Sequence, residues 1–125
     1  MTNFTCDKIN NGILGAKQRI LVIGDLHADF NKTKELFIHF NLIDVNENWI
    51  ASPKETTVVQ LGDQLDGGGR GDGESYGELE LIKFMDRIHD NASKHGGGVY
   101  SLIGNHEIMN LLGDFKYASK KDIKI

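Results

Sequence analysis

The sequence predicts a layered α/β fold of about three parallel strand–helix units, and three observations carry that prediction. Three short runs of apolar, mostly β-branched residues each stop at a glycine, at Gly24, Gly62 and Gly104. A polar loop follows each glycine, and a helical pattern of apolar residues follows each loop. Strands that alternate with helices run parallel, because the intervening helix returns the chain to the same end of the sheet.

The first run, Arg19 to Ile23, reads Arg-Ile-Leu-Val-Ile and has the continuous apolar character of a buried strand. After the loop from Asp25 to Asp29, residues Phe30 to Phe40 place Leu36, Phe37 and Phe40 on one helical face, with Lys32, Lys34 and Glu35 elsewhere. Pro53 keeps the next linker out of regular structure, and Thr56 to Leu61 forms the second strand. A glycine-rich loop leads to a helix over Glu78 to Asn91, where Leu81, Phe84, Met85 and Ile88 recur at helical spacing. Val99 to Ile103 is the third strand, and a further helical segment runs from Glu107 to Leu112.

A chain of 125 residues is one domain at most. With 39% hydrophobic and 26% charged residues it has the composition of a folding protein rather than a disordered one. A net charge of −4 supplies no basic footprint, so no direct nucleic-acid binding and no attraction to an anionic membrane is expected. No apolar run approaches membrane-spanning length, and Met1 to Lys8 lacks the pattern of a secretion signal, so the chain reads as intracellular and cytoplasmic. The single Cys6 cannot form an internal disulfide and reads as inert. A three-strand parallel sheet leaves apolar faces and an edge uncovered, which predicts an aggregation-prone or dimeric chain.

Function enters at the loops. The first offers Asp25 and His27, the second Asp63 and Asp66, the third Asn105, His106 and Glu107. Singly, an Asp after a strand is usually a helix cap or turn former. Here three successive strand ends each supply a glycine followed by carboxylate, carboxamide or imidazole groups, and α/β sheets place ligands at that end. Mixed oxygen and imidazole donors suit divalent Mn, Fe or Zn, whereas Mg and Ca prefer oxygen alone. One carboxylate can bridge two such ions at about 3.5–4 Å, the arrangement that clamps attacking and leaving oxygens in phosphoryl transfer.

The ordered segments GDLH, GDQLD and GNHE resemble those of the calcineurin-like metallophosphoesterases, nearer the phosphoprotein phosphatase branch. The stretch from Gly104 to Asp114 is similar to the Shewanella-like phosphatases. The resemblance extends from about Arg19 to Asp114, so residues 1–125 are identified with the N-terminal portion of such a domain, half of the full α/β sandwich. It implies a metallophosphoesterase enzyme with two divalent transition-metal ions, Asp25 and His27 binding the first, Asp63 bridging and Asn105 binding the second. It further implies a metal-bridging hydroxide as attacking group, His106 as general acid, and Asp66 as the carboxylate that fixes its tautomer. Asn105 also faces substrate phosphate on this reading. The substrate class implied is a phosphomonoester, such as phosphoserine or phosphothreonine in a protein, or alternatively a nucleotide or dinucleoside polyphosphate.

Two departures from the family pattern stand out. Gly67 occupies the position of the family's phosphate-holding arginine, and the nearest arginine is Arg70 beyond the following glycines, a candidate substrate clamp or a solvated loop residue. The family completes its metal shells with histidines from a later half, and Ile125 precedes any such motif. His39, His89 and His95 read as surface or packing histidines. The partner expected is therefore a missing C-terminal half or a second chain, the alternative being a non-catalytic metal- or phosphate-binding module. Glu107 could be a ligand by its chemistry, but the resemblance implies instead that it steadies the third loop.

Overall fold

A computed structural model describes residues 13–67 and 77–119. Arg70, Cys6, the extreme N-terminus and the end of the lysine-rich tail lie outside the described residues. The order of elements is β1 (Ile20–Ile23), α1 (Phe30–His39), β2 (Thr57–Gln60), α2 (Glu78–Ser93), β3 (Gly98–Ser101) and α3 (Asn105–Leu111). The strands form one parallel sheet in the order β1-β2-β3, with Val22, Val59 and Tyr100 side by side. The expected layered α/β arrangement is present, and β2 occupies the centre.

The period of two along each strand divides the sheet into unlike faces. Leu21, Val58 and Val99 turn to the helices, where Phe37 of α1 and Leu81, Phe84, Met85 and Ile88 of α2 complete the core. Phe84 stacks edge-on against both Phe37 and Phe30, at 5.4 and 5.5 Å between ring centres. Burying each such side chain contributes about 1.5–3 kcal/mol. On the opposite face Ile20, Val22, Leu61 and Leu102 are exposed, Val22 by 61%. This uncovered apolar face is the feature the strand count predicted.

Helix α1 opens at Asp29, whose carboxylate accepts from the Lys32 amide at 2.9 Å, an ordinary N-cap. It closes at His39, one residue earlier than its periodicity suggested. Phe40 is therefore 39% exposed rather than buried, and its carbonyl accepts from the Arg19 guanidinium at 2.7 Å. The linker before β2 is more ordered than Pro53 implied. Leu42, Ile43, Trp49 and Ala51 are all buried, Ile43 pairs with Trp49 in an antiparallel bridge, and the Trp49 indole donates to Lys54 O at 2.9 Å. Within this linker Glu47 takes Lys34 of α1 at 3.2 Å and Arg87 of α2 at 2.9 Å, tying the two helices together. Among the described residues no helix is long and apolar enough to cross a membrane.

Candidate active site

Because β2 is central, its loop touches both neighbours, and it does so through the main chain. Leu26 and His27 donate their amides to Asp63 O at 3.0 and 2.9 Å, and Ala28 donates to Gln64 O at 2.7 Å. Gln60, fully buried on β2, spans the same seam from below: its amide nitrogen donates to Gly24 O and Gly62 O, and its oxygen accepts from Gly62 N. A polar side chain in a buried strand is costly unless paired. Here it is paired with the backbone of both loops.

The second and third loops are pressed together more tightly still. Gly62 has φ +95°, and a Cβ there would collide with the Gly104 backbone, while a Cβ on Gly104 would collide with Asp63. These two glycines let the loops meet backbone to backbone. Glu107 locks the contact: Oε2 accepts from Asp63 N and Gly104 N, and Oε1 from Gln64 N and Leu65 N. The carboxylate thus holds two loops rather than only its own. Its bond to Gly104 N also caps α3, which is why that helix starts at Asn105, two residues before the expected Glu107. Asn105 and His106 accordingly sit on the first helical turn.

His27, Ala28, Asp63 and Asp66 all carry positive φ, between 42° and 67°. Such geometry costs an L-residue about 1–2 kcal/mol, and its concentration in two facing loops marks a place where the surrounding bonds dictate the backbone. The side chains so placed converge. One donor atom from each of His27, Asp63 and His106 lies within 4.8 Å of the others. Asp25 joins from the edge, its Oδ2 3.7 Å from His27 Nε2, with a side chain 60% exposed. Asn105, His27, Asp66 and His106 line an open cavity of about 380 Å³, with Met109, Lys116 and Tyr117 completing its wall. A larger hollow of about 550 Å³ lies elsewhere, along β3 and the uncovered face, and contains none of these groups.

Hydrogen bonds set the chemical form of both imidazoles. His27 Nδ1 faces Leu65 O at 3.0 Å, a partner that only accepts, so Nδ1 carries a proton and Nε2 is the nitrogen turned toward Asp25. That is the orientation a metal ligand needs, fixed by a backbone carbonyl as in ligating histidines commonly. His106 Nδ1 faces Asp66 Oδ2 at 2.8 Å, and Asp66 is almost wholly buried. The carboxylate requires a proton on Nδ1 and leaves Nε2 pointing away. The backbone amide of His106 also donates to Asp63 Oδ1 at 2.9 Å, so one Asp63 oxygen positions α3. Imidazole, carboxylate and carboxamide donors, from His27, Asp25, Asp63 and Asn105, fit divalent transition ions.

Of the sequence-predicted residues, His27, Asp63, Asp66, Asn105 and His106 are brought together, Asp25 stands at the rim, and Arg70 lies outside the described residues. His39 and His95 are exposed, and His89 faces Val99 O at 2.8 Å. Sequence reasoning passed over Gln60, Asn110, Lys116 and Tyr117. Gln60 was detectable as a lone amide in an apolar strand; the other three follow the motif and carried no signal of their own.

A family model described as calcineurin-like phosphoesterase matches residues 18–124. Shewanella-like protein phosphatase 2 of Arabidopsis thaliana is 40% identical over 107 residues, 86% of this chain and 25% of that protein. Shewanella-like protein phosphatase 1 of Plasmodium berghei is 35% identical over 107 residues, 86% of this chain and 27% of that protein. Among solved structures, a cold-active protein-tyrosine phosphatase of a psychrophilic Shewanella species superposes with TM-score 0.70 and 32% identity, covering 84% of this chain and 29% of its own. The chain therefore spans between a quarter and a third of the length of these relatives. Since the match covers nearly all of the chain, including the three loops that meet at the end of the sheet, the chain belongs to the calcineurin-like phosphoesterase family.

Proposed function

We infer that residues 1–125 are the N-terminal portion of a metal-dependent phosphatase that hydrolyses phosphomonoesters on proteins, with further ligands supplied by additional polypeptide. The observation that carries this reading is the meeting of His27, Asp63 and His106 donor atoms within 4.8 Å beside the buried Asp66. Asp25, His27, Asp63 and Asn105 would hold the divalent ions. When bound, Mn, Fe or Zn ions supply Lewis acidity to the phosphate and lower the pKa of water.

The chain's own residues then divide the work. Water attacks phosphorus in line and gives up a proton to solvent, the bond from phosphorus to the departing oxygen breaks with its electron pair on that oxygen, and His106 Nε2 delivers the proton that oxygen needs. Asp66 holds the ring so that Nε2 is the nitrogen presented. No phosphoenzyme forms. Asn105 and Lys116 on the cavity wall are the groups positioned to meet phosphate oxygens, and Arg70 is the bidentate clamp the sequence offers. His106 is assigned as acid rather than ligand, because a nitrogen bound to a metal has no proton to give.

Phosphoserine and phosphothreonine are the substrates suggested by the motif order. The solved relative is a protein-tyrosine phosphatase by name, which favours phosphotyrosine as a second reading. Turnover of matched phosphopeptides with Mn²⁺, alongside p-nitrophenyl phosphate and the variants Asp63→Asn and His106→Asn, tests the proposal. Expected are loss of metal binding and turnover in Asp63→Asn, and loss of turnover with metal binding retained in His106→Asn. Equal metal loss in both variants would make His106 a ligand and overturn its role. Absence of turnover by the chain alone, restored by adding the remainder of a relative's domain, would place the missing ligands there.

A further inference from the structure

Asn110 is the side chain the motif reading does not use, and it occupies a telling place. It lies one turn beyond His106 on α3, so its amide spans from the His106 carbonyl to the carboxylate of Asp66. Nδ2 donates to His106 O at 2.9 Å and to Asp66 Oδ1 and Oδ2 at 3.1 and 3.0 Å. All three neighbours are acceptors, which forces the nitrogen rather than the oxygen of the amide to face them.

Among the described residues, Asp66 has little else to fix its carboxylate. Its side chain is 1% exposed, its backbone is left-handed, and its amide is held by Glu78 Oε1 at 2.7 Å. The backbone bond fixes where the residue sits but not how its carboxylate is turned. Among the described residues, the other contact is His106 Nδ1, which bonds one oxygen only and by itself leaves rotation about the Cβ–Cγ bond open. The two-oxygen contact from Asn110 closes that freedom and adds charge-assisted pairing to a buried carboxylate.

We propose that Asn110 is a positioning residue for proton delivery: it orients the Asp66 carboxylate, which in turn holds His106 with Nδ1–H bonded and Nε2 presented to the departing oxygen. This rests on the reading of His106 as general acid, and deepens it. Substitution of a group that orients an acting residue costs about 10–100-fold in comparable sites. The defect falls on substrates whose leaving group needs a proton, such as phenyl phosphate, and far less on p-nitrophenyl phosphate.

The test uses the full ¹⁵N-labelled chain at one alkaline pH where imidazoles are neutral, read by long-range ¹H–¹⁵N spectra. Expected for the wild type are a His106 ring wholly in the Nδ1–H form and an Asn110 side-chain amide protected from exchange. Asn110→Ala is expected to populate the Nε2–H form and to slow phenyl phosphate about tenfold or more relative to p-nitrophenyl phosphate. Asn110→Gln, which keeps the donor, is expected to recover part of both. A wild-type ring tautomer in Asn110→Ala, or a freely exchanging Asn110 amide in the wild type, overturns the proposal. The amide measurement decides the matter even if the alanine variant fails to fold. No turnover by the wild-type chain even after the remainder of a relative's domain is added would sink the phosphatase reading while leaving the tautomer and amide results to judge Asn110 separately.

Discussion

Glu107→Ala should separate the second and third loops. Four main-chain N–H groups converge on this carboxylate at 2.7, 2.7, 2.8 and 3.2 Å. Hydrogen bonds to an ionised acceptor contribute about 1.5–3 kcal/mol each, so a plain sum would reach about 6–12 kcal/mol. That overshoots, because Glu107 is only partly buried and water can enter to meet some of the released donors. A net cost of about 3–5 kcal/mol is expected, at the upper end of what single substitutions do. At roughly 4 °C per kcal/mol for a chain of this size, the melting temperature falls by roughly 12–20 °C. Glu107→Gln retains one accepting oxygen but turns an NH₂ toward two of the donors, and should cost about 2–4 kcal/mol. Urea unfolding followed by circular dichroism supplies both values, and the glutamine variant gives the magnitude if the alanine variant does not fold. If Glu107→Ala melted within roughly 4 °C of wild type, the carboxylate would not be what binds the loops, and the account of the site's frame would fail.

Gly104→Ala is expected to destabilise by about 2–4 kcal/mol, since the new Cβ meets Asp63 rather than space, whereas ordinary overpacking costs about 1–3 kcal/mol. Gly113→Ala serves as its control: φ is +80° there with nothing within 4 Å, so only about 1 kcal/mol of backbone strain applies. The Glu47 carboxyl is pushed up by burial but held below its ordinary value overall by hydrogen bonds and charges from Arg87 and Lys34. A folded value below the unfolded one contributes stability that is present above the unfolded pKa and is lost as pH falls through the folded one. Glu47→Gln should therefore lower stability at neutral pH, with the gap to wild type closing on acidification; a gap that stays constant with pH would contradict this. Val22→Lys, on the uncovered sheet face, is expected to reduce self-association in light scattering. A strictly monomeric wild-type chain would remove the basis for that expectation.

The strands and helices were legible because their signals are local. β-branched runs ending at Gly24, Gly62 and Gly104 marked the three strands to within a residue or two at each end, and the spacing of Leu81, Phe84, Met85 and Ile88 marked α2. The start of α3 was misplaced because its cap is the side chain of Glu107 reaching back to Gly104, a tertiary knot rather than a capping residue in the sequence. Trp49 and its neighbours were passed over because their burial comes from tertiary packing into the shared core, with no period of their own. At the site the donor types were visible, but the left-handed backbone at His27, Ala28, Asp63 and Asp66 was not: these residues carry no glycine-like signature, and only the bonds between loops impose the geometry. Asn110 was hidden for the same reason, since its role exists only once α3 brings it over Asp66.

The frame around the site is joined mainly by main-chain amides and carbonyls, from Leu26, His27 and Ala28 to the Asp63–Gln64 stretch, and from that stretch to Glu107. Main-chain atoms are inherited by every substitution. Asp25, whose side chain takes no part in those bonds, can be exchanged for another donor without the loop losing its shape, whereas Asp63 cannot, because one of its oxygens also holds the His106 amide. With Asp25 and Asp63 as the proposed ligands, variation in metal preference among descendants of this chain should then collect at position 25 and spare position 63. The same asymmetry tells an engineer where a different ion can be invited in.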